Sequence, residues 1–190
     1  MKLDDLFPIC ADKTCPQHGT HGHPLPHQLD LIQSADRYIY CQGGFGSAKS
    51  LGACALGVLL SLQIPGNRGI VIRETYPKLH DNTQRLFMEM LERAKIPWTG
   101  RENRDGWYHR VTLKSNKSEI HFREGRTVRL GADYGWFVVD EASEVQESIF
   151  KNLQARLRLA AAGKFLRGVL LSNPPHHNHW LHKVFGENPG

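Results

Sequence analysis

The chain has 190 residues, of which 40% are hydrophobic and 23% are charged, and its formal net charge is +5. Length and composition predict one globular domain with a full hydrophobic core rather than a fibrous, low-complexity or membrane-spanning chain. No apolar signal core follows Met1, so the sequence predicts a cytosolic protein. The positive charge is compatible with a polyanionic partner.

Residues 1–25 are predicted to form a flexible leader that is rich in proline and histidine. Four of its side chains, Cys10, Cys15, His18 and His21, follow a Cys-x4-Cys-x2-His-x2-His spacing. Thiolates and imidazoles are the ligands that zinc prefers, but this spacing is not that of a well-defined zinc finger. We therefore favour a leader without metal and keep zinc as the alternative.

Strand and helix patterns alternate through residues 26–190, which we predict to be a single α/β domain. Helices are predicted at 26–34, 48–62, 79–94 and 144–159, strands at 37–42, 69–73, 136–139 and 166–171, and three antiparallel strands at 107–113, 119–123 and 127–130. Short runs of β-branched residues, such as Ile70-Val71-Ile72, are typical of strands buried on both faces of a parallel sheet. The predicted fold is a three-layer sandwich around a mainly parallel sheet with an antiparallel extension.

The first predicted strand runs into a glycine-rich segment with the sequence Gly43-Gly44-Phe45-Gly46-Ser47-Ala48-Lys49-Ser50. A loop with few side chains lets consecutive backbone N–H groups point at phosphate oxygens, and the start of the following helix adds its positive dipole. We refer to residues 43–50 as the phosphate loop. Lys49 is expected to reach the β- and γ-phosphates of a nucleotide, and Ser50 to bind Mg²⁺.

The phosphate loop departs from the pattern G-x-x-x-x-G-K-[ST] at one position, where Ala48 replaces the second glycine. Alanine is suited to ordinary right-handed geometry at a helix start, so we expect the substitution to be tolerated if this position does not need a positive φ.

Two carboxylates, Asp140 and Glu141, follow the apolar strand 136–139. Because parallel strands end at the same edge of a sheet, Asp140 is expected beside the phosphate loop, where it would bind Mg²⁺. Glu141 is then the natural group to orient and activate the water that attacks the γ-phosphate. The alternative is that both residues only cap a helix.

The pair Ser172-Asn173 stands at the end of another predicted strand. A small polar pair there can bind the γ-phosphate or the attacking water, although these residues are equally typical of a simple turn. Basic residues crowd the middle of the chain, at Arg101, Arg104, Arg110, Lys114, Lys117, Arg123, Arg126 and Arg129. For each one taken singly, exposure to solvent is favoured over a phosphate contact.

Taken together, these motifs resemble the ATPase domain of the large terminases of tailed bacteriophages. The resemblance covers nearly the whole chain after about Pro26, and it is carried by Gln28, residues 34–38, the phosphate loop, residues 71–76, residues 138–142 and residues 172–174. It implies a RecA-like P-loop fold and a DNA-packaging motor in the host cytoplasm, with a ring of subunits that hydrolyses ATP and moves double-stranded DNA through a portal with the help of a small terminase subunit.

The resemblance also implies roles for individual residues. Gln28 would contact adenine, and Asn173 would belong to a motif that couples hydrolysis to movement. Arg129, or else Arg126, would enter the site of a neighbouring subunit and stabilise charge in the transition state. Large terminases usually carry a nuclease domain, which is not expected within this sequence. The alternatives are a helicase-like or recombination ATPase, and a module that binds nucleotide without hydrolysing it.

Overall fold

The computed structural model of the chain describes residues 2–8, 22–44, 46–126 and 131–187. Its helices are α1 (Pro26–Gln33), α2 (Lys49–Gln63), α3 (Tyr76–Lys78), α4 (Arg85–Arg93), α5 (Glu147–Arg156) and α6 (Trp180–His182). Its strands are β1 (Tyr38–Gln42), β2 (Arg68–Arg73), β3 (Trp98–Glu102), β4 (Tyr108–Leu113), β5 (Glu119–Glu124), β6 (Trp136–Val139) and β7 (Arg167–Ser172). A π-helical segment, Leu79–Gln84, joins α3 to α4 without a break.

The seven strands form one sheet in the order β1-β7-β6-β2-β5-β4-β3. Neighbouring strands from β1 to β5 pair in parallel, whereas β4 pairs antiparallel with β5 and β3 pairs antiparallel with β4. The predicted α/β class, with a mainly parallel sheet and an antiparallel extension, is confirmed. The strand ends that carry the predicted motifs, after β1, β6 and β7, therefore lie at one edge of the sheet.

Apolar residues on both faces of the central strands create two cores. Val71 and Val138 face the core formed with α2 and α4, whereas Ile70, Ile72 and Val139 face the core formed with α5. This separation follows from the two-residue period of a strand, which sends successive side chains to opposite faces. The result is the predicted three-layer sandwich.

The antiparallel extension is formed by different strands from those that the sequence predicts. Strand β5 pairs with β4 as expected, but its other edge pairs in parallel with β2, and the third antiparallel strand is β3, which the sequence analysis missed. Strand β3 is almost wholly exposed and polar at the edge of the sheet, so it lacks the apolar alternation that marks a strand. The strand predicted at 127–130 lies outside the described residues.

The helices differ from the prediction mainly at their ends. The predicted helix at 79–94 begins at Tyr76 and includes the π-helical segment. The predicted helix at 144–159 is preceded by a 3-10 turn, Ala142–Glu144, and is confined to α5. Among the helices of the described ranges, none is both long and apolar enough to cross a membrane.

Part of the predicted leader packs onto the domain. Leu3–Leu6 forms a 3-10 helix, and Leu6 and Phe7 are buried in the same core as α2 and α4. The Arg93 guanidinium donates a hydrogen bond to the Leu6 carbonyl at 3.1 Å. Residues 2–8 therefore belong to the folded domain, in contrast to the prediction of a flexible leader, because their apolar side chains complete a core that α4 leaves open.

Candidate nucleotide-binding site

The phosphate loop and the acidic end of β6 meet at one point. Strand β7 lies between β1 and β6, and the hydroxyl of Ser50 donates a hydrogen bond of 3.0 Å to Asp140 Oδ1. Asp140 is only 4% exposed. A hydroxyl and a carboxylate oxygen at this separation are a donor set that suits Mg²⁺, which prefers oxygen ligands and binds through few protein groups.

Lys49 folds back over the phosphate loop. Its ammonium group donates to the carbonyls of Gly43 and Gly44 at 2.7 and 3.0 Å, and to the Ser47 hydroxyl at 3.1 Å. These acceptors hold the ammonium group of Lys49 above the loop, where a phosphate oxygen could replace them as its hydrogen-bond acceptor. The side chain thus stands within reach of any anion that the loop binds.

Helix α1 fixes the outer side of the phosphate loop. Gln28 Nε2 donates to the Ala48 carbonyl at 2.8 Å, and His27 Nε2 donates to the Ser47 carbonyl at 2.7 Å. Since the C=O and N–H of a trans peptide point in opposite directions, the N–H groups of Ala48 and Lys49 face away from α1. The two contacts therefore fix the direction in which the loop presents these donors.

Gln28 is nearly fully buried and also caps its own helix, because its Oε1 accepts a hydrogen bond from the Leu25 N–H at 2.8 Å. It lines a cavity of about 280 Å³ between α1 and the start of the phosphate loop, together with His27, Leu31 and Tyr40. An adenine contact from Gln28 stays a prediction. The structure adds a second role, in supporting the loop.

Ala48 adopts left-handed geometry, with φ of 55° and ψ of 27°. The expectation of right-handed geometry at this position is therefore wrong. The loop has to reverse direction just before α2 begins, and glycine normally meets this need without steric cost. For a residue with a Cβ atom the left-handed conformation costs about 1–2 kcal/mol, so the chain carries strain at this point of the phosphate loop.

We expect Ala48→Gly to stabilise the protein by about 0.5–1 kcal/mol, because relief of the left-handed strain exceeds the added entropy of the unfolded chain. The free energy of unfolding in urea measures the change. The matched control is Ala53→Gly within α2, where the residue is buried and helical. That control should destabilise the protein by about 1 kcal/mol, and equal losses in both variants would contradict the strain at position 48.

The carboxylate of Asp140 has two further neighbours. Thr83 Oγ1 donates to Asp140 Oδ2 at 2.5 Å, and Arg73 Nη1 lies 3.9 Å from the same oxygen. Arg73 ends β2, the strand next to β6, and Thr83 belongs to the π-helical segment. Such π-helical turns are frequent at functional sites because they shift the side chains of one turn. The sequence analysis gave neither neighbour a role: Thr83 lies outside the motifs, and Arg73 belongs to residues 71–76, which supported the family resemblance without a stated function.

We expect Thr83→Val to lower the stability of the protein by about 1.5–3 kcal/mol, because a buried carboxylate oxygen loses its hydrogen-bond donor. The Mg²⁺ concentration needed for half-maximal nucleotide binding should also rise several-fold, since Asp140 is no longer held in place. Thr83→Ser keeps the hydroxyl and should behave like the parent chain in both measurements. If valine and serine gave the same Mg²⁺ dependence, Thr83 would have no part in placing Asp140.

Glu141 immediately follows Asp140 and is also in left-handed geometry, with φ of 51°. Its carboxylate is half-buried and has no hydrogen-bond or ion-pair partner within the described part of the chain. Non-glycine residues in this conformation concentrate at functional sites, where the surrounding structure holds them against strain. The conformation turns the chain from β6 into the 3-10 turn 142–144.

The end of β7 touches the phosphate loop directly. The Gly43 N–H donates to the Ser172 carbonyl at 3.2 Å, and the Ser172 hydroxyl donates to the Asn173 carbonyl at 2.5 Å. The Asn173 Oδ1 atom is buried and finds no hydrogen-bond partner among the described residues. Buried polar atoms are normally satisfied, so this amide is available for a ligand or a water molecule.

Several predicted residues fall elsewhere. Phe45, Arg129 and the four candidate zinc ligands, Cys10, Cys15, His18 and His21, lie outside the described residues.

Arg126 forms an ion pair with Glu74 of its own chain, and hydrogen bonds from Lys78 and then Arg126 hold the pKa of the Glu74 carboxyl below its usual range. No group of three or more metal-binding side chains occurs within residues 2–8, 22–44, 46–126 and 131–187.

The two cysteines near the phosphate loop are structural. Cys54 in α2 is fully buried and Cys41 in β1 is partly buried, and both are free thiols. Burial raises the pKa of both thiols, for Cys54 well above the usual value, with the Asp140 charge adding to the effect. They therefore remain protonated, as expected for core residues.

A phosphate loop after edge strand β1, with an acidic strand end two strands away, defines a P-loop nucleotide-binding fold of the RecA-like class. A family model described as phage terminase large subunit matches residues 35–189. This chain belongs to that family, which confirms the resemblance inferred from the motifs.

Among curated proteins, the chain is similar to the PBSX phage terminase large subunit of Bacillus subtilis (strain 168), with 27% identity over 172 residues. The match covers 84% of this chain but 36% of that relative, so the chain spans little more than a third of its length. Among solved structures, the large terminase of a thermophilic bacteriophage superposes with a TM-score of 0.71 at 16% identity, covering 87% of this chain and 43% of that one.

The large terminase ATPase domain of Thermus phage P74-26 superposes with a TM-score of 0.65 at 18% identity, covering 86% of this chain and 70% of that one. At these identities the superpositions establish a shared fold. They confirm the predicted fold class without assigning any residue a role.

Proposed function

We propose that this chain is the ATP-hydrolysing motor domain of a phage terminase large subunit, which drives double-stranded DNA into a procapsid. The observation that carries the proposal is the hydrogen bond between Ser50 and Asp140, which brings the phosphate loop and the acidic end of β6 together in a member of this family. The large terminase of the thermophilic bacteriophage, which shares the fold, has been crystallised with ADP and with ATP-γ-S.

The phosphate loop would bind the β- and γ-phosphates of ATP. The N–H groups of Ala48 and Lys49, which face away from α1, would donate to phosphate oxygens, as would the ammonium group of Lys49 after leaving the loop carbonyls. Gln28 would meet the adenine in the adjacent cavity. Gly43, Gly44 and Gly46, which have no side chains, would let the backbone of the loop approach the phosphates, and Phe45 would lie close to the nucleotide.

Ser50 and Asp140 fit a magnesium ion in the nucleotide complex, which would neutralise charge on the β- and γ-phosphates. Thr83 and Arg73 would hold the carboxylate of Asp140 in position for that ligand. Glu141, whose carboxylate has no described protein partner, would accept a hydrogen bond from the attacking water and orient it in line with the γ-phosphate. Asn173, with its free buried amide oxygen, would sense the γ-phosphate or the water.

Transition-state charge would be further stabilised by Arg129 supplied from a neighbouring subunit of a ring. Arg126, with its ion pair to Glu74, is the weaker candidate for this role. We further propose that the domain works with a portal protein and a small terminase subunit in the host cytoplasm, and that residues 26–190, together with the packed residues 2–8, form the ATPase domain.

The proposal is tested by measuring phosphate release from ATP at high protein concentration, with and without linear double-stranded DNA and with and without Mg²⁺. We expect hydrolysis that requires Mg²⁺ and increases when DNA is added. Tight nucleotide binding without phosphate release would instead indicate a nucleotide-binding module. ATP-dependent separation of DNA strands would indicate a helicase-like enzyme.

A further inference from the structure

One face of the sheet is only partly covered. Over β6 and β2 this face is apolar and packs against α5, with Ile70, Ile72 and Val139 in the second core. This apolar packing ends at β5, where the Tyr134 ring packs edge-on against the His121 ring, with 5.7 Å between the ring centroids. Beyond this point the corresponding positions of β5 and β4 are polar, although the opposite side of the same strands is buried in the first core.

The uncovered area forms a groove of about 590 Å³ across the antiparallel extension, lined among others by Arg101, Arg110, Thr112, His121 and Arg123. We refer to these five residues as the cationic face. They come from three strands, β3, β4 and β5, so a rigid sheet sets the spacing of their side chains. The groove shares no lining residue with the cavity at the phosphate loop.

Positive charge on this face exceeds negative charge. Glu119 is shared by Arg68 and Arg110, each at 3.0 Å, and cannot neutralise both. Arg123 donates to two backbone carbonyls, those of His109 and Phe122, and has no carboxylate partner within the described ranges. Burial lowers the pKa of His121, which disfavours the charged form of this ring.

Arg101 adds a further positive charge at the exposed edge strand, with no ion pair to any described residue. Glu102, which also lines the groove, accepts a hydrogen bond from the Tyr108 hydroxyl. This side of the sheet therefore carries four arginines, at positions 68, 101, 110 and 123, but two carboxylates, Glu102 and Glu119. Arg101 of β3 and Arg123 of β5 are the two arginines that have no carboxylate partner among the described residues. Arginine that lacks a carboxylate partner is suited to bidentate recognition of phosphate.

The composition of the groove favours a phosphate backbone over a protein partner. A stable protein interface has an apolar centre, whereas the groove is lined entirely by polar side chains and one glycine. The exposed large apolar side chains of the described residues, Leu25 and Phe165, are not among those that line it. Interfaces with nucleic acid are polar and strongly positive, as this face is.

We propose that the cationic face binds the sugar-phosphate backbone of double-stranded DNA without reading its sequence. The choice of double-stranded DNA as the polyanion rests on the proposed function, whereas the affinity of the face for phosphate rests on its charge. The interaction is independent of the phosphate loop, because the strands that carry the arginines lie at the opposite end of the sheet from β1.

The test is fluorescence anisotropy with a labelled mixed-sequence duplex of about 30 base pairs at several salt concentrations, from roughly 30 to 300 mM. The double variant Arg101→Ala/Arg110→Ala removes two positive charges from exposed positions of the face. Arg123 is kept because its hydrogen bonds to the His109 and Phe122 carbonyls support the sheet itself. The control Arg85→Ala/Lys151→Ala removes two charges from helix surfaces, at positions 69% and 67% exposed that each also have a glutamate neighbour. Circular dichroism melting checks that both variants fold.

We expect the face variant to bind DNA on the order of tenfold more weakly at about 0.1 M salt, and the slope of log affinity against log salt concentration to fall by roughly 1.8. The control should keep the slope of the parent chain. Arg101→Lys/Arg110→Lys should keep most of the affinity, because the charge is retained. An unchanged slope in the face variant, equal losses in both alanine variants, or no binding by the parent chain at the lowest salt would overturn the proposal.

Nucleotide binding is measured on the same proteins with a fluorescent ATP analogue. The face variant should bind it as the parent chain does. If the parent chain bound DNA through this face but bound no nucleotide, the proposal of ATPase activity would be wrong, whereas the proposal of a DNA-binding surface would be supported. If the face variant kept its DNA affinity but lost self-association in sedimentation, the face would be a subunit contact and the proposal would be wrong.

Discussion

Replacement of Glu141 by glutamine is expected to lower ATP turnover by about 10²–10⁴-fold while leaving nucleotide affinity within roughly twofold of the parent chain. Glutamine keeps the shape of the side chain and can still contact a water molecule, but it cannot accept a proton. Glu141 does not contact the phosphate loop through any described hydrogen bond, so its loss leaves the nucleotide-binding groups in place.

The matched control for this variant is Glu144→Gln, three residues further along the same turn. Glu144 is partly exposed and forms an ion pair with Lys78 at 3.0 Å, so its carboxylate is engaged elsewhere. Steady-state phosphate release and the affinity for a fluorescent ATP analogue are measured for both variants. Turnover that persisted in Glu141→Gln, or that fell equally in Glu144→Gln, would remove Glu141 from the catalytic step.

Asp140→Asn is expected to impair both binding and turnover, in contrast to Glu141→Gln. An amide is a weaker ligand for Mg²⁺ than a carboxylate. In the parent chain, Ser50 and Thr83 each donate a hydrogen bond to a carboxylate oxygen of Asp140, whereas the NH₂ group of asparagine would place a donor opposite one of these donors. Turnover should fall at least about 100-fold, and the enhancement of nucleotide affinity by Mg²⁺ should largely disappear.

Titration of nucleotide with and without Mg²⁺ measures this effect. The control is Asp133→Asn, at an exposed carboxylate that pairs with Arg156 and Arg158 away from the phosphate loop. It should leave the Mg²⁺ dependence unchanged. An Asp140→Asn protein whose nucleotide affinity still rose with Mg²⁺ as in the parent chain would show that the carboxylate does not serve the metal.

The sequence was sufficient to predict the parts of the site that are local in the chain. The phosphate loop and the acidic pair each occupy a few consecutive residues, and the rule that parallel strands end at one edge brought them together correctly. Their contact through Ser50 and Asp140 is the geometry on which the nucleotide prediction depended.

The parts that could not be predicted depend on long-range packing. Thr83 reaches Asp140 only because a π-helical turn is inserted before α4, and no sequence pattern marks such a turn. Arg73 ends a strand that is adjacent to β6 in space but far from it in sequence. The left-handed conformation of Ala48 was missed because alanine gives no local signal for a positive φ.

Strand β3 shows the same limit in the sheet. Its residues are exposed and polar, and the strand exists because β4 offers it a free edge for pairing. The cationic face could be seen only after this pairing was known, since its arginines are separated in sequence and come together across three strands. Taken singly, each of these arginines resembled an ordinary solvent-exposed residue.

The most direct measurement of the central claim is a crystal structure of the protein with ATP-γ-S and Mn²⁺, in which anomalous scattering locates the metal. The account predicts a triphosphate wrapped by residues 43–50 and a metal peak between Ser50 Oγ and the Asp140 carboxylate, with the Lys49 ammonium group moved from the loop carbonyls to the phosphates. A nucleotide bound away from this loop, or a metal with no contact to either residue, would contradict it.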